Sequence, residues 1–143
     1  LARLFAADRF DHLYHGERGI RAALDRGFQV VCDRYLFSSL AYQSPALGYQ
    51  ETLGLNDFPL PEKLFFFDVP PELCALRRAG RERQELFDPP EIQVEVAKNY
   101  RMILADFAGL GMEIHRIDGS PPREEVFEGL KALLFPPDQP IEG

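Results

Sequence analysis

Three short apolar runs, separated by helical patterns, constrain the fold of this chain more than any other feature. The runs extend from Phe28 to Asp33, from Lys63 to Val69 and from Met112 to Asp118, and each has the length and the flanking glycine or proline of a β-strand. Strands that alternate with helices form βαβ units with right-handed crossovers. The sequence therefore predicts an α/β fold with a mostly parallel sheet flanked by helices.

Helical patterns fill the intervals between these runs. We predict a helix from Leu1 to about Asp25 with a break near Gly16 and Gly19, because glycine weakens a helix interior. A second helix is expected from Ser38 to about Gln43 and should end before Ser44-Pro45, since proline cannot donate a helical hydrogen bond. Further helices are predicted at residues 71–78, 90–107 and 121–135, with a loop at 56–61.

The length and charge of the chain exclude several classes of protein. At 143 residues, the chain is expected to form one domain with a flexible tail at 136–143. Its net charge of −7 argues against a general nucleic-acid or membrane-surface binder, since such proteins carry an excess of basic residues. No segment approaches the length of a membrane span. Cys32 and Cys74 lie far apart inside apolar runs, as expected of buried, reduced thiols in a cytoplasmic protein.

An acidic and a basic residue, Asp33 and Arg34, close the first predicted strand. In an open parallel sheet, ligands bind beyond the carboxyl ends of the strands. An aspartate at that place can hold a hydrated metal ion, and an arginine can bind a phosphate through two hydrogen bonds. The alternative is an ion pair that only fixes the following turn, and these two residues alone do not decide between the two interpretations.

Phe5 and Arg9 stand four residues apart in the first predicted helix and therefore share one of its faces. Such a pair can stack on a flat heterocycle and donate hydrogen bonds to it. The commoner alternative is a core phenylalanine with an arginine packed beside it.

The polar segment from Arg77 to Glu85, which begins in the last residues of the helix at 71–78, is rich in arginine. Its four arginines are Arg77, Arg78, Arg81 and Arg83. This segment can deliver positive charge to a bound phosphate, or it can be a solvated helix end balanced by Glu82 and Glu85. Together with the Phe5/Arg9 face and the Asp33-Arg34 pair, it provides what phosphoryl transfer requires, because that chemistry depends mainly on positioning and on neutralising spread negative charge.

Several motifs occur together in a recognisable order. They are Leu4 to Arg9, Asp33-Arg34-Tyr35, Ser38 to Gln43, Phe67 to Glu72 and the arginine segment ending in Glu82-Arg83-Gln84-Glu85. In order and approximate spacing they resemble the thymidylate kinase family, and the likeness runs from Leu1 to about Leu134. The resemblance implies a P-loop nucleoside monophosphate kinase-like fold with a lid at about 77–90. It also implies a cytoplasmic homodimer that uses ATP and Mg²⁺ to convert dTMP to dTDP.

The resemblance assigns an acceptor pocket to residues before position 44. Phe5 would stack on the thymine ring, Arg9 would hydrogen-bond its exocyclic oxygen, and Tyr42 would crowd the position of a ribose 2′-hydroxyl. The other residues expected to line this pocket are Ser38, Ser39 and Gln43.

The catalytic and cofactor-binding roles follow in the same way. Arg34 would hold the acceptor phosphate, Asp33 would lie near the magnesium ion and its waters, and Arg81 and Arg83 would close over the transferred group. The residues expected to contact ATP are Arg77, Arg81, Gly119 and Ser120.

Two departures from the family pattern leave alternatives open. The phosphate-binding Gly-x-x-x-x-Gly-Lys-Ser/Thr motif is not found in the sequence. We expect it, with the N-terminal βα unit, to precede Leu1 in the intact protein, and we expect the 143 residues alone to be inactive. The alternatives are a non-catalytic nucleotide-binding relative that lacks the P-loop, and a kinase for another small phosphorylated acceptor. The second is favoured by the altered segment from Ser44 to Gln50.

Overall fold

The computed structural model describes residues 1–79 and 89–135. In this part of the chain there are seven helices and two strands. They are α1 (Ala2–Tyr14), α2 (Ile20–Asp25), α3 (Leu36–Leu47), α4 (Tyr49–Leu55), β1 (Lys63–Asp68), α5 (Pro71–Arg78), α6 (Pro90–Asp106), β2 (Glu113–Asp118) and α7 (Arg123–Leu134). Within the described ranges, no helix combines the length and apolar character that a membrane span requires.

The chain forms two compact units, each made of two separate stretches. Unit 1 consists of Leu1–Pro59 and Glu95–Asp106, and therefore holds α1 to α4 and most of α6. Unit 2 consists of the described residues of Leu60–Val94 and of Phe107–Gly143, with both strands, α5 and α7.

The core of unit 1 forms around α3, which contributes more buried residues than any other helix of this unit. Leu36 and Leu40 on α3 are 1% and 0% exposed, and Ile103 on α6 is 0% exposed. Burial of such aliphatic side chains contributes about 1.5–3 kcal/mol each. The α3 helix is thereby held firmly, and the polar residues that it carries have defined positions.

The predicted end of α3 at Ser44-Pro45 is wrong, because the helix continues through Pro45 to Leu47. Proline has no N–H to donate to the carbonyl four residues earlier, which is that of Ala41. The side chain of Asn99 satisfies this carbonyl instead, with its Nδ2 donating to Ala41 O at 3.0 Å. The helix ends at Gly48, whose φ of 90° is a left-handed conformation that favours glycine.

The two strands of unit 2 confirm the prediction of a parallel sheet. Strands β1 and β2 pair in parallel, in register from Lys63 with Glu113 to Asp68 with Asp118. The backbone N–H of Gly119 continues the pairing by donating to Asp68 O at 3.1 Å. This register brings the carboxyl ends of both strands, and the loop that follows β2, to the same edge.

The first predicted strand, Phe28 to Asp33, is not a strand in the structure. These residues belong to neither a helix nor a strand, and Val31 is 92% exposed. A strand is defined by hydrogen bonds to a neighbour, and among the described residues β1 pairs only with β2. Cys32 in this segment is exposed rather than buried as expected.

Candidate functional site

The guanidinium group of Arg9 joins three helical segments of unit 1. Its Nη2 donates to Ser39 Oγ on α3 at 3.0 Å, and its Nη1 donates to Asn56 Oδ1 just after α4. Arg9 itself projects from α1. Arg9, which is predicted to hydrogen-bond the nucleobase, is therefore held at a defined position by two polar partners.

Two aromatic rings flank the same guanidinium. The Arg9 carbon Cζ lies 5.6 Å from the ring centre of Tyr35 and 5.8 Å from that of Phe58, within the range of cation–π attraction. Burial lowers the pKa of Arg9 from its usual value, and Tyr35 opposes that shift. An arginine in such a site remains protonated at neutral pH.

Phe5 lies one helical turn before Arg9 on α1, as the spacing predicts. Its side chain is 43% exposed. Exposure of an aromatic ring beside a fixed guanidinium suits contact with a planar ligand, although a phenylalanine on its own does not identify one.

Asp33 and Arg34 lie in the loop before α3, and both are exposed. Arg34 has a φ of 65°, which makes it the one non-glycine residue of the described chain in the left-handed region. Its guanidinium lies 5.7 Å from the ring centre of Tyr42 on α3. Strained backbone of this kind costs about 1–2 kcal/mol and often marks a functional position.

Tyr42 also contacts α6. The rings of Tyr42 and Tyr100 meet edge to face with their centres 6.3 Å apart, and the hydroxyl groups of Tyr100 and Ser38 are hydrogen-bonded at 2.8 Å. Burial raises the pKa of Tyr100, while the hydrogen bond with Ser38 opposes the shift. Ser38 thus holds the ring that in turn positions Tyr42.

Gln43 follows on α3 and is buried, with 8% of its surface exposed. Within the described residues, its Oε1 atom has no hydrogen-bond partner. A buried acceptor that lacks a donor costs about 1–3 kcal/mol. This side chain therefore has an unused acceptor for a donor that a ligand or water supplies.

The predicted cofactor residues lie in unit 2. Arg77 on α5 donates to the backbone oxygens of Gly119 and Ser120, each at 2.7 Å, and to that of Pro121 at 3.3 Å. Hydrogen bonds from Ser120, from its side chain and then from its backbone N–H, lower the pKa of Asp118. The loop after β2 is thus held in one shape by Arg77 and Asp118.

Gly119 permits a close approach between this loop and Val69. A Cβ atom added at Gly119 would lie 2.5 Å from Val69 Cγ2, which is too short for any real contact. Packing against Val69 therefore favours glycine at this position.

The described residues contain no group of three or more His, Cys, Asp or Glu side chains arranged to hold a metal ion. Asp33 is the metal-binding residue predicted from sequence, and it is a single exposed carboxylate. Mg²⁺ keeps several waters and is usually held by one or two carboxylates together with substrate phosphates. A single exposed carboxylate next to the exposed Arg34 fits that requirement.

The structure therefore brings together Arg9 with Ser39, Arg34 with Tyr42, and Arg77 with the Gly119-Ser120 loop. Arg81 and Arg83 lie outside the described residues. Sequence reasoning missed the contacts made by Asn56, Tyr35, Phe58 and Asn99. Asn56 is 47 positions from Arg9 along the chain, so no local pattern could have connected the two.

Comparison with known proteins gives a consistent result. The family model for thymidylate kinase matches residues 1–129. A Treponema pallidum protein that carries the thymidylate kinase name is 42% identical over 132 residues, covering 90% of this chain and 63% of that protein. The thymidylate kinase of Anoxybacillus flavithermus is 36% identical over 145 residues, covering 94% of this chain and 66% of that protein.

A third relative, named as a probable thymidylate kinase of Pyrococcus abyssi, is 34% identical over 135 residues, which is 93% of this chain and 63% of that protein. The chain thus spans between 63% and 66% of the length of these three relatives. The family match covers most of the chain, including the segments that carry Arg9, Arg34 and Arg77. On this basis, the chain belongs to the thymidylate kinase family.

Proposed function

We propose that the protein containing this chain is a dTMP kinase, which transfers the γ-phosphoryl group of Mg-ATP to dTMP and forms dTDP. The observation that carries the proposal is the Arg9 guanidinium, which is fixed by Ser39 and Asn56 at 5.6 Å and 5.8 Å from the ring centres of Tyr35 and Phe58. A fixed donor group beside an exposed phenylalanine suits recognition of a flat ring that carries a carbonyl oxygen. Membership of the thymidylate kinase family supports this assignment.

The nucleobase would lie against α1. Phe5 stacks on the ring, Arg9 donates to an exocyclic oxygen, and Ser39 lies at the edge of the base. The hydrogen bond between Arg9 and Ser39 supports this arrangement, because it places both side chains at one position. Stacking contributes through apolar area, and the hydrogen bonds contribute selectivity.

The acceptor phosphate would be bound by Arg34, since a guanidinium can bind a phosphate through two parallel hydrogen bonds. Asp33 would hold a water-coordinated Mg²⁺ nearby. When bound, this ion neutralises charge on the phosphoryl oxygens. Arg34 is exposed and adjacent to Tyr42, so its charge is accessible to a ligand in that loop.

Selection of the sugar would fall to Tyr42. Its ring is contacted by Arg34 and by Tyr100, which restricts the directions in which it can move. A restricted ring can exclude a ribose 2′-hydroxyl by sterics alone. Gln43 and Ser38 would line the same pocket, the first through its unused acceptor and the second through its bond to Tyr100.

On the cofactor side, the loop containing Gly119 and Ser120 would border the adenine of ATP. Arg77 supports this role because its hydrogen bonds hold the loop in place. Arg81 and Arg83, which fall in the part of the chain without description, would close over the transferred group. We further propose that the intact protein acts in the cytoplasm as a homodimer, and that the 143 residues alone are inactive.

The proposal is tested by measuring ADP formation by the intact protein with dTMP, dUMP and dGMP as acceptors. We expect the highest kcat/KM with dTMP, a lower value with dUMP and very little turnover of dGMP. Equal turnover of the purine nucleotide would refute the assignment. Nucleotide binding without turnover of any acceptor would show a non-catalytic binding protein instead.

A further inference from the structure

We propose that Asn56 is a positioning residue that fixes the Arg9 guanidinium and so sets the preference for a carbonyl over an amino group on the pyrimidine. This inference rests on the proposed function, because it assumes that Arg9 contacts the acceptor base. In this proposal Asn56 does not contact the nucleotide itself and acts only by positioning Arg9.

The orientation of the Asn56 amide is determined by its second hydrogen bond. Its Nδ2 donates to Thr52 O at 2.7 Å. Since the amide nitrogen faces α4, the oxygen Oδ1 must face Arg9, from which it accepts a hydrogen bond. Asn56 is 2% exposed and Thr52 is 0% exposed, so the bond between these two residues is shielded from water.

The support continues one turn further along α4. Thr52 is itself fixed, because its hydroxyl donates to Gly48 O at 2.8 Å. A short series of hydrogen bonds therefore runs from Gly48 through Thr52 and Asn56 to Arg9, and its middle bond is buried. Such a series holds a side chain more rigidly than one exposed contact would.

The chemical nature of the two acceptors matters as much as their positions. Asn56 and Ser39 both offer neutral oxygen atoms to Arg9. A carboxylate at either place would neutralise the guanidinium in a charge-assisted pair. Neutral acceptors fix its direction and leave its positive charge to attract a carbonyl oxygen of the ligand.

A guanidinium has donors only and cannot accept a hydrogen bond. When its direction is fixed, an amino group at the position of the carbonyl would place donor against donor, and the ligand would be rejected. When its direction is not fixed, the guanidinium can move aside and the rejection weakens. Asn56 should therefore affect the discrimination between a carbonyl and an amino group on the pyrimidine more than it affects the folding of the site.

The test compares dTMP with 5-methyl-dCMP, which carries an amino group in place of one exocyclic oxygen. We measure kcat/KM for both acceptors with the intact wild-type protein and with Asn56→Ala. We expect the preference for dTMP to fall by about tenfold in the variant, as for loss of a hydrogen bond to a charged group. The KM for ATP should be unchanged.

Asn99→Ala is the matched control. It also removes an amide that donates to a helix carbonyl, that of Ala41, but this amide has no contact with Arg9. This control should lose thermal stability and keep the wild-type preference for dTMP. If Asn56→Ala does not fold, Asn56→Ser replaces it, because a serine hydroxyl is too short to reach the guanidinium.

The outcomes separate this inference from the proposed function. If the wild-type protein phosphorylates dTMP and the Asn56 variant keeps the full preference, the positioning role is wrong and the proposed function stands. A preference that falls equally in the Asn99 variant would also overturn the inference. If the wild-type protein does not phosphorylate dTMP, the proposed function fails, and the inference fails with it.

Discussion

The guanidinium of Arg34 lies 5.7 Å from the ring centre of Tyr42, although the backbone of Arg34 has a φ of 65°. The loop thus holds a large cationic side chain in a conformation that favours glycine. The cation–π contact stabilises the loop by about 0.5–1 kcal/mol, whereas the backbone conformation costs about 1–2 kcal/mol. On these magnitudes the contact with Tyr42 does not outweigh the backbone cost, so Arg34 does not stabilise the loop.

Two substitutions at this position separate the backbone from the side chain. Arg34→Ala keeps the strained φ and loses the contact with Tyr42, whereas Arg34→Gly also removes the strain. We expect the glycine variant to be the more stable of the two by about 1 kcal/mol, as measured by denaturant unfolding. Both variants should lose kinase activity, and an alanine variant more stable than the glycine variant would contradict the interpretation.

Arg9→Ala should weaken dTMP binding far more than ATP binding. Under the proposed function, the substitution removes a hydrogen bond to the base, and it leaves Ser39 and Asn56 without their shared donor. We expect the Kd for dTMP to rise by about tenfold or more, as measured by titration calorimetry, with the Kd for ATP within about twofold of wild type. An unchanged affinity for dTMP would count against the base-binding role of α1.

Tyr35 provides a prediction about alkaline pH. Burial raises the pKa of Tyr35 to about 12, with Arg9 opposing the shift, and its hydroxyl donates to Pro59 O at 2.9 Å. Because the folded pKa lies above the unfolded value of about 10, this group stabilises the fold fully below pH 10. That contribution is lost as the pH rises towards 12.

We therefore expect the free energy of unfolding to decline over this range, and the decline to be smaller in Tyr35→Phe. The difference in phenolate absorbance between wild type and Tyr35→Phe gives the pKa directly. A titration midpoint near pH 10 for Tyr35 in the folded protein would show that burial does not raise its pKa.

Two glycines in unit 2 should respond to alanine in opposite directions. Gly119→Ala places a methyl group 2.5 Å from Val69 Cγ2 and should destabilise the protein by about 1–3 kcal/mol. Gly129, inside α7, has no atom within 4 Å of its added methyl group, so Gly129→Ala should stabilise by about 0.5–1 kcal/mol. Thermal unfolding of both variants tests the pair, and addition of Val69→Ala should recover part of the Gly119→Ala loss.

Local patterns predicted the elements that have a strong period of their own. The helix predicted at 90–107 corresponds to α6 (Pro90–Asp106), with Val96 and Ile103 buried, and the runs near Lys63 and Met112 correspond to β1 and β2. These predictions succeeded because the hydrophobic pattern of each element lies within its own residues. The order of the elements was also sufficient to predict parallel pairing.

Other features depend on partners that are distant in sequence. The segment from Phe28 to Asp33 has the composition of a strand, but its backbone finds no pairing partner in the described chain. The seven-residue α4 was not predicted, since it is short and contains Gly54. The roles of Asn56 and Asn99 could not be assigned from sequence, because each side chain bonds to a residue more than 40 positions away.

The two units are interleaved along the chain, with Glu95–Asp106 completing unit 1 after unit 2 has begun. The ribosome synthesises the chain from its N-terminus. The bonds of Ser38 with Tyr100 and of Ala41 with Asn99 therefore cannot form until more than 50 further residues have been added. No single cut through the gene separates one unit from the other as a contiguous piece. Duplication, loss or exchange of either unit during evolution therefore requires at least two breakpoints.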